Sequence, residues 1–228
     1  EYYDVPGHKE NFVKIITDEE APGIQVQLYY KHKAKPSINY GDYKGRILRT
    51  MFGGMITQRL DEIRQQADAP FIFAGARYGN LVKPLDFFTI SGVVGPGKLK
   101  EGLLSFITEN QRVVDHGFTQ SELDRVKRSL LNSAEKSFME KDKVESRTLV
   151  GRYVSHFLNQ SFADGPENRY RFYQEIIPEI TLDDVNRLAD ELIRNDNIVL
   201  IVSAPEKDKE SLPKKAELIE VLESAASI

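Results

Sequence analysis

The stretch Ser91-Gly-Val-Val-Gly-Pro-Gly-Lys-Leu-Lys-Glu-Gly102 ("SGVVGPGKLKEG") decides how the surrounding chain is read. Gly92, four residues, then Gly97-Lys98 nearly spell a phosphate-binding loop, and an apolar run from Asp86 to Val94 leads into it. Such a loop works because backbone N–H groups and a helix N-terminus face the anion, a lysine reaches the terminal phosphates, and a Ser or Thr hydroxyl holds Mg²⁺. Here the eighth position is Leu99, which has no oxygen for magnesium. Pro96 removes one of the N–H donors that would cradle the phosphate. The motif also needs a parallel βαβ setting, whereas the strands around it come in hairpin-like pairs. The stretch reads as a glycine-rich turn from a strand into a helix. A nucleotide-dependent enzyme working through Gly92 to Lys98 would instead be stabilised against melting by ATP.

Outward from that turn, Phe71 to about Tyr78 and Asp86 to Val94 read as two strands joined by a short polar link. Leu99 to His116 is amphipathic, with Leu103, Leu104, Ile107 and Val113 or Val114 on one side, and Gly117 stands where a helix C′ glycine belongs. "TQSE" (Thr119 to Glu122) is a capping box opening a long helix through Leu123, Val126, Leu130, Ala134 and Phe138. The charged run "MEKDKVES" marks a break, after which Leu149, Tyr153, His156 and Phe157 space a further helix. "TLDD" (Thr181 to Asp184) caps the next, to about Arg194, and "NIVLIVSAP" (Asn197 to Pro205) is a strand.

Towards the N-terminus, Phe12 to Asp18 and Ile24 to His32 are strands, the second alternating at Ile24, Val26, Leu28 and Tyr30. A helical spacing then runs from Tyr40 to about Ala67, and Asp68-Ala-Pro70 stops it. The order β-β-α-β-β-α-α-α-α-β predicts an α+β fold, a mostly antiparallel sheet with helices packed on one face. Residues 1–206 would form this domain, and 207–228, opening on the solvated "EKDKESLPKK", a linker and last helix towards a next domain.

Composition narrows function by exclusion. The chain has 228 residues, 40% hydrophobic and 29% charged, the balance of an ordinary globular unit. A net charge of −4 gives no attraction to nucleic acid or anionic lipid. No cysteine is present, which removes disulfides, thiolate zinc sites and cysteine nucleophiles and leaves the compartment undecided. No run is long enough for a membrane helix, and no signal peptide is evident. The first residue is glutamate, which suggests a piece of a longer chain. The four histidines, His8, His32, His116 and His156, never fall a helical turn apart, so neither HExxH nor HxxEH exists here. GxSxG is absent. Asp183-Asp184 sits in a helix's opening turn, where the macrodipole accounts for it. "ARYG" (Ala76 to Gly79) and "RYRFYQE" (Arg169 to Glu175) are half-buried Tyr and Arg surfaces or ligand contacts.

The middle of the chain adds a resemblance. "FGGMITQRLDEIRQQADAPFIFAGARYG" (Phe52 to Gly79), "HGFTQSELDRVK" and "PEITLDDVNRLA" together resemble the non-catalytic half of pitrilysin/insulinase-type zinc peptidases, over roughly residues 10–206. The opening "VPGHKENFVKIITDEEAPGIQVQLYYKH" looks like the start of the second domain in large bacterial members. The resemblance implies an inactive domain of a multidomain zinc metalloendopeptidase, one wall of a clamshell enclosing peptides. Zinc would then sit in a catalytic domain of the same polypeptide or of a homologous subunit, with none in this chain. It also implies a substrate-contacting arginine and a tyrosine seven residues on. Arg64 matches the first, but Phe71 stands at the second without a hydroxyl, so the pair is broken. Members of the fold also serve as non-enzymatic assembly subunits, the alternative reading.

Overall fold

The computed structural model describes residues 4–159 and 165–224. Five strands, β1 (Phe12–Asp18), β2 (Ile24–Lys33), β3 (Phe71–Val82), β4 (Leu85–Val94) and β5 (Ile198–Pro205), form one sheet in the order β1-β5-β2-β4-β3. All neighbours are antiparallel except β1 and β5, which run parallel. The α+β architecture expected from the sequence is therefore the one observed. Alternation explains its two faces. Val26, Leu28, Phe88, Ile90, Leu200 and Val202 lie in register and are wholly buried towards the helices. Gln25, Gln27, Val199 and Ile201, one position along, remain half-exposed on the other side.

The helices are α1 (Tyr40–Arg64), α2 (Leu99–His116), α3 (Gln120–Met139), α4 (Ser146–Asn159), α5 (Pro166–Glu179), α6 (Leu182–Asn186), α7 (Leu188–Leu192) and α8 (Lys215–Ser224). Helix α1 starts at a reciprocal cap between Asn39 and Asp42. It stops at Arg64, three residues before the predicted end. Its Gly53 and Gly54 let it lie between two neighbours: a Cβ on Gly53 would stand 3.0 Å from the Ala76 carbonyl oxygen of β3, and one on Gly54 3.0 Å from a Val126 methyl of α3. Thr57 completes the joint, its hydroxyl accepting from Ala76 N at 2.9 Å. Phe52 meets Phe88 and Phe118 edge-on at 5.5 and 5.3 Å, and Phe71 packs on Phe106 at 5.4 Å. Each fully buried side chain of this size contributes about 1.5–3 kcal/mol by leaving water.

Four details depart from the sequence expectation. β3 continues to Val82, and the predicted polar link shrinks to a tight hairpin in which Val82 pairs with Leu85. α5 is an additional helix, begun by Pro166 at its first turn and anchored by buried Ile176 and Ile177. The helix predicted from "TLDD" to Arg194 is two short ones with a joint at Arg187. Beyond β5, the charged run is a turn of 3₁₀ helix over Glu206–Ser211, and α8 then sets Leu218 and Leu222 into the common core. Residues 207–224 thus carry core side chains of this unit as well as solvated ones.

Candidate functional site

The glycine stretch sits where β4 passes into α2, and three of its four glycines have a local reason. Gly92 faces the helix layer: a Cβ there would lie 2.6 Å from the Phe73 carbonyl oxygen and 2.8 Å from the Phe106 ring. Gly97 turns the chain with φ of +72°, a conformation side chains disfavour. Gly102 abuts a Val94 methyl at 2.6 Å by the same construction. The Lys98 ammonium is held by Glu101 at 2.5 Å, and its backbone N–H donates to Gly95 O at 3.0 Å. Close packing and a turn use up the glycines, as the sequence reading of a strand-to-helix connection expects.

The two residues singled out for substrate contact fare differently. Arg64, in the last turn of α1, is half-exposed and donates from Nε to Asp61 at 3.0 Å. Phe71, the first residue of β3, is buried with its ring on Phe106, so the core claims the surface it would offer a peptide.

Next to Arg64's helix, an open cleft of about 480 Å³ lies between α1, α2 and the start of α3. Arg59, Glu62, Glu109, Arg112, Glu122 and Arg125 line it, and they are matched in pairs: Arg59 with Glu122, Arg112 with Glu109 and Arg125 with Glu62. The first pair is the most elaborate. Glu122 closes the α3 cap by accepting from Thr119 N at 2.7 Å, and receives Arg59 Nε at 2.5 Å and Nη2 at 3.2 Å. Arg59 Nη2 also donates to Gly117 O at 2.9 Å, tying α1 to the end of α2. Burial pushes the Glu122 carboxyl up, but Arg59 and the Thr119 donors outweigh it and hold the group below its ordinary range. The cleft is an internal truss, its charges already neutralised.

A second polar cluster closes the far end of the sheet, and composition gave little warning of it. Asp86, inside the apolar run, is buried and accepts from Tyr78 OH at 2.8 Å, Asn80 Nδ2 at 2.9 Å and Lys35 N at 2.8 Å. Burial and the adjacent Asp86 raise the Tyr78 hydroxyl far above its usual range, so it serves as a permanent donor. His32 stacks on Tyr78 and bonds through Nε2 to Leu192 O at 3.1 Å, which places the ring proton on Nε2. Burial, opposed in part by the Leu192 carbonyl and Glu191, lowers its pKa below 6.5. A protein whose imidazole pKa is lowered by folding loses stability as pH falls from the unfolded value to the folded one, and the loss persists below that. The protein is therefore expected to lose stability relative to His32→Gln as pH falls from 7.5 through 6.5 to 5.5. Denaturant midpoints read this, and a constant gap between the two proteins across that range would contradict it.

Tyr30, fully buried, receives the Asn110 amide at 3.0 Å, and burial, only partly offset by that donor, pushes its hydroxyl up to about 12. Among the described residues no three His, Asp or Glu side chains are grouped to hold a metal ion, and no helix is long and apolar enough to cross a membrane.

Fold and cleft together define an α+β sheet-and-helix unit in which the arginines and glutamates lining the cleft are paired with one another. Comparison with known proteins agrees with that class. Residues 1–130 match the family model described as "Peptidase M16 inactive domain", and the chain belongs to that family. It is 25% identical over 190 residues to "Zinc protease PQQL-like" of Arabidopsis thaliana, covering 83% of this chain and 17% of that protein. To "Probable zinc protease PqqL" of Escherichia coli (strain K12) it is 24% identical over 197 residues, covering 83% and 21%. The solved first half of the periplasmic protease PqqL from Escherichia coli superimposes with a TM-score of 0.87 at 17% identity, over 100% of this chain and 49% of that one. The chain spans about a fifth of the length of the curated relatives it matches.

Proposed function

We propose that this chain is a non-catalytic domain of a multidomain zinc metalloendopeptidase, walling part of a chamber that closes over peptides. The zinc and the water-activating residues would belong to a catalytic domain of the same polypeptide or of a homologous subunit. The match to the inactive-domain family carries this reading. Support comes from a histidine set that contains no HxxEH, and from relatives named zinc proteases that are about five times longer. In such an assembly 207–228 would lead towards the next domain. Of the two residues the resemblance marks for substrate, Arg64 keeps exposed surface, and we assign any peptide contact to it alone.

The test uses the polypeptide encoded by the complete gene. It is expected to hold about one zinc and to cleave short fluorogenic peptides until a chelator is added. Arg64→Ala is expected to lower kcat/KM about tenfold, the loss of roughly one charged hydrogen bond, with zinc content unchanged. A complete polypeptide with no zinc and no turnover would point to the assembly subunit instead.

A further inference from the structure

Helix α4 stands out by the exposure of its side chains. None of its described side chains is buried. Yet Val150, Tyr153, Val154, Phe157 and Leu158 recur at helical spacing and share a face, and all are exposed, Tyr153 by 68% and Phe157 by 82%. Single exposed apolar residues are ordinary, but five large ones along one stripe of one helix mark a surface meant to be covered. A helix of 14 residues is also marginal in water without tertiary packing.

The comparisons indicate what covers it. The curated relatives hold about four-fifths of their length outside the matched unit, and in the Escherichia coli half-structure about as much chain again stands beside it. The helix itself carries Arg147 and Arg152 and no acidic residue, so a matching surface is apolar with carboxylates at its margin. Two arginines and no lysine are few for a membrane-surface helix, which draws its affinity from many cations. We infer that α4 is a docking helix, inserting Tyr153 and Phe157 into an apolar groove on a neighbouring domain of its own longer polypeptide. This rests on reading the chain as one domain of a larger peptidase.

Hydrogen exchange over residues 146–159 tests the inference, comparing the 228-residue chain with the polypeptide of the complete gene. Exchange in the longer protein is expected to slow by at least about tenfold, because docking removes the local opening of an unsupported helix. The double variant Tyr153→Ser, Phe157→Ser should leave the melting temperature of the 228-residue chain unchanged, since both side chains are on its surface. In the longer protein it should return α4 to fast exchange. Equal exchange in the two proteins overturns the inference. So does protection of the short chain that grows with its own concentration, which means a second copy, or that appears with anionic vesicles, which means lipid. Zinc content and peptide cleavage, measured on the same longer sample, keep the outcomes apart. Chelator-sensitive cleavage with an unprotected α4 sinks the docking helix alone, and protection without zinc or cleavage sinks the peptidase role alone.

Discussion

Gly92→Ala is expected to lower the melting temperature by about 6–12 °C, equivalent to roughly 3 kcal/mol for a chain of this length. The reason is geometric. The added methyl would need to sit 2.6 Å from the Phe73 carbonyl oxygen and 2.8 Å from the Phe106 ring. Neither can yield cheaply. The oxygen belongs to β3's backbone beside β4, and Phe106 is wholly buried between sheet and α2. Gly95→Ala, three residues along, is the control: its nearest neighbour would be a Lys98 methylene at 3.8 Å, an ordinary contact. Thermal unfolding of the two variants separates a packing glycine from a ligand loop. Equal small losses in both would mean that the approach of α2 to β4 is not what requires glycine at 92.

Arg59→Leu is expected to cost about 2–4 kcal/mol at pH 7, because it strands a carboxylate that the fold has already taken from water. Glu122 and Arg59 side chains are 9% and 16% exposed, so solvent replaces little of what is lost. The partial exposure of Arg59 keeps the figure below that of a wholly buried pair. The sign with pH follows from the direction of the Glu122 shift. Its pKa is depressed in the folded protein, so the stability it contributes is present above the ordinary carboxylate value of 4.5 and fades as pH falls through the folded value. The gap between the protein and Arg59→Leu should therefore be widest near pH 7 and shrink towards pH 3. A gap that stays constant with pH would assign Arg59 a packing role over Phe118, where its guanidinium lies 4.9 Å from the ring centre.

Local chemistry made much of this fold readable from sequence. Thr119-Gln-Ser-Glu122 and Thr181-Leu-Asp-Asp184 are reciprocal caps in the structure, and alternation placed β2 and its buried face. What escaped depends on partners far along the chain. Nothing in "FVKIITD" tells that β1 will pair parallel with β5, almost two hundred residues later. Helix α5 hides in "PENRYRFYQEIIPE" because part of its contact with α3 is made by Tyr170 stacked on Phe138, an amphipathic ring that reads as surface. Leu218 and Leu222 bury one turn apart in a segment whose preceding charges read as solvated. Buried Asp86 was equally invisible, since its three donors come from Lys35, Tyr78 and Asn80. For the site, the resemblance marked Arg64 and Phe71 as candidates but could not show that Phe71 turns inward to Phe106. A resemblance fixes positions along the chain, whereas orientation is set by packing.

Whether this unit does chemistry by itself is tested most directly by the zinc content of the purified 228-residue chain. Protein prepared without chelator, titrated with zinc and desalted, is expected to retain far less than one equivalent, and to leave a fluorogenic peptide intact. About one tightly held zinc per chain, or cleavage that a chelator abolishes, would contradict the assignment of a silent domain.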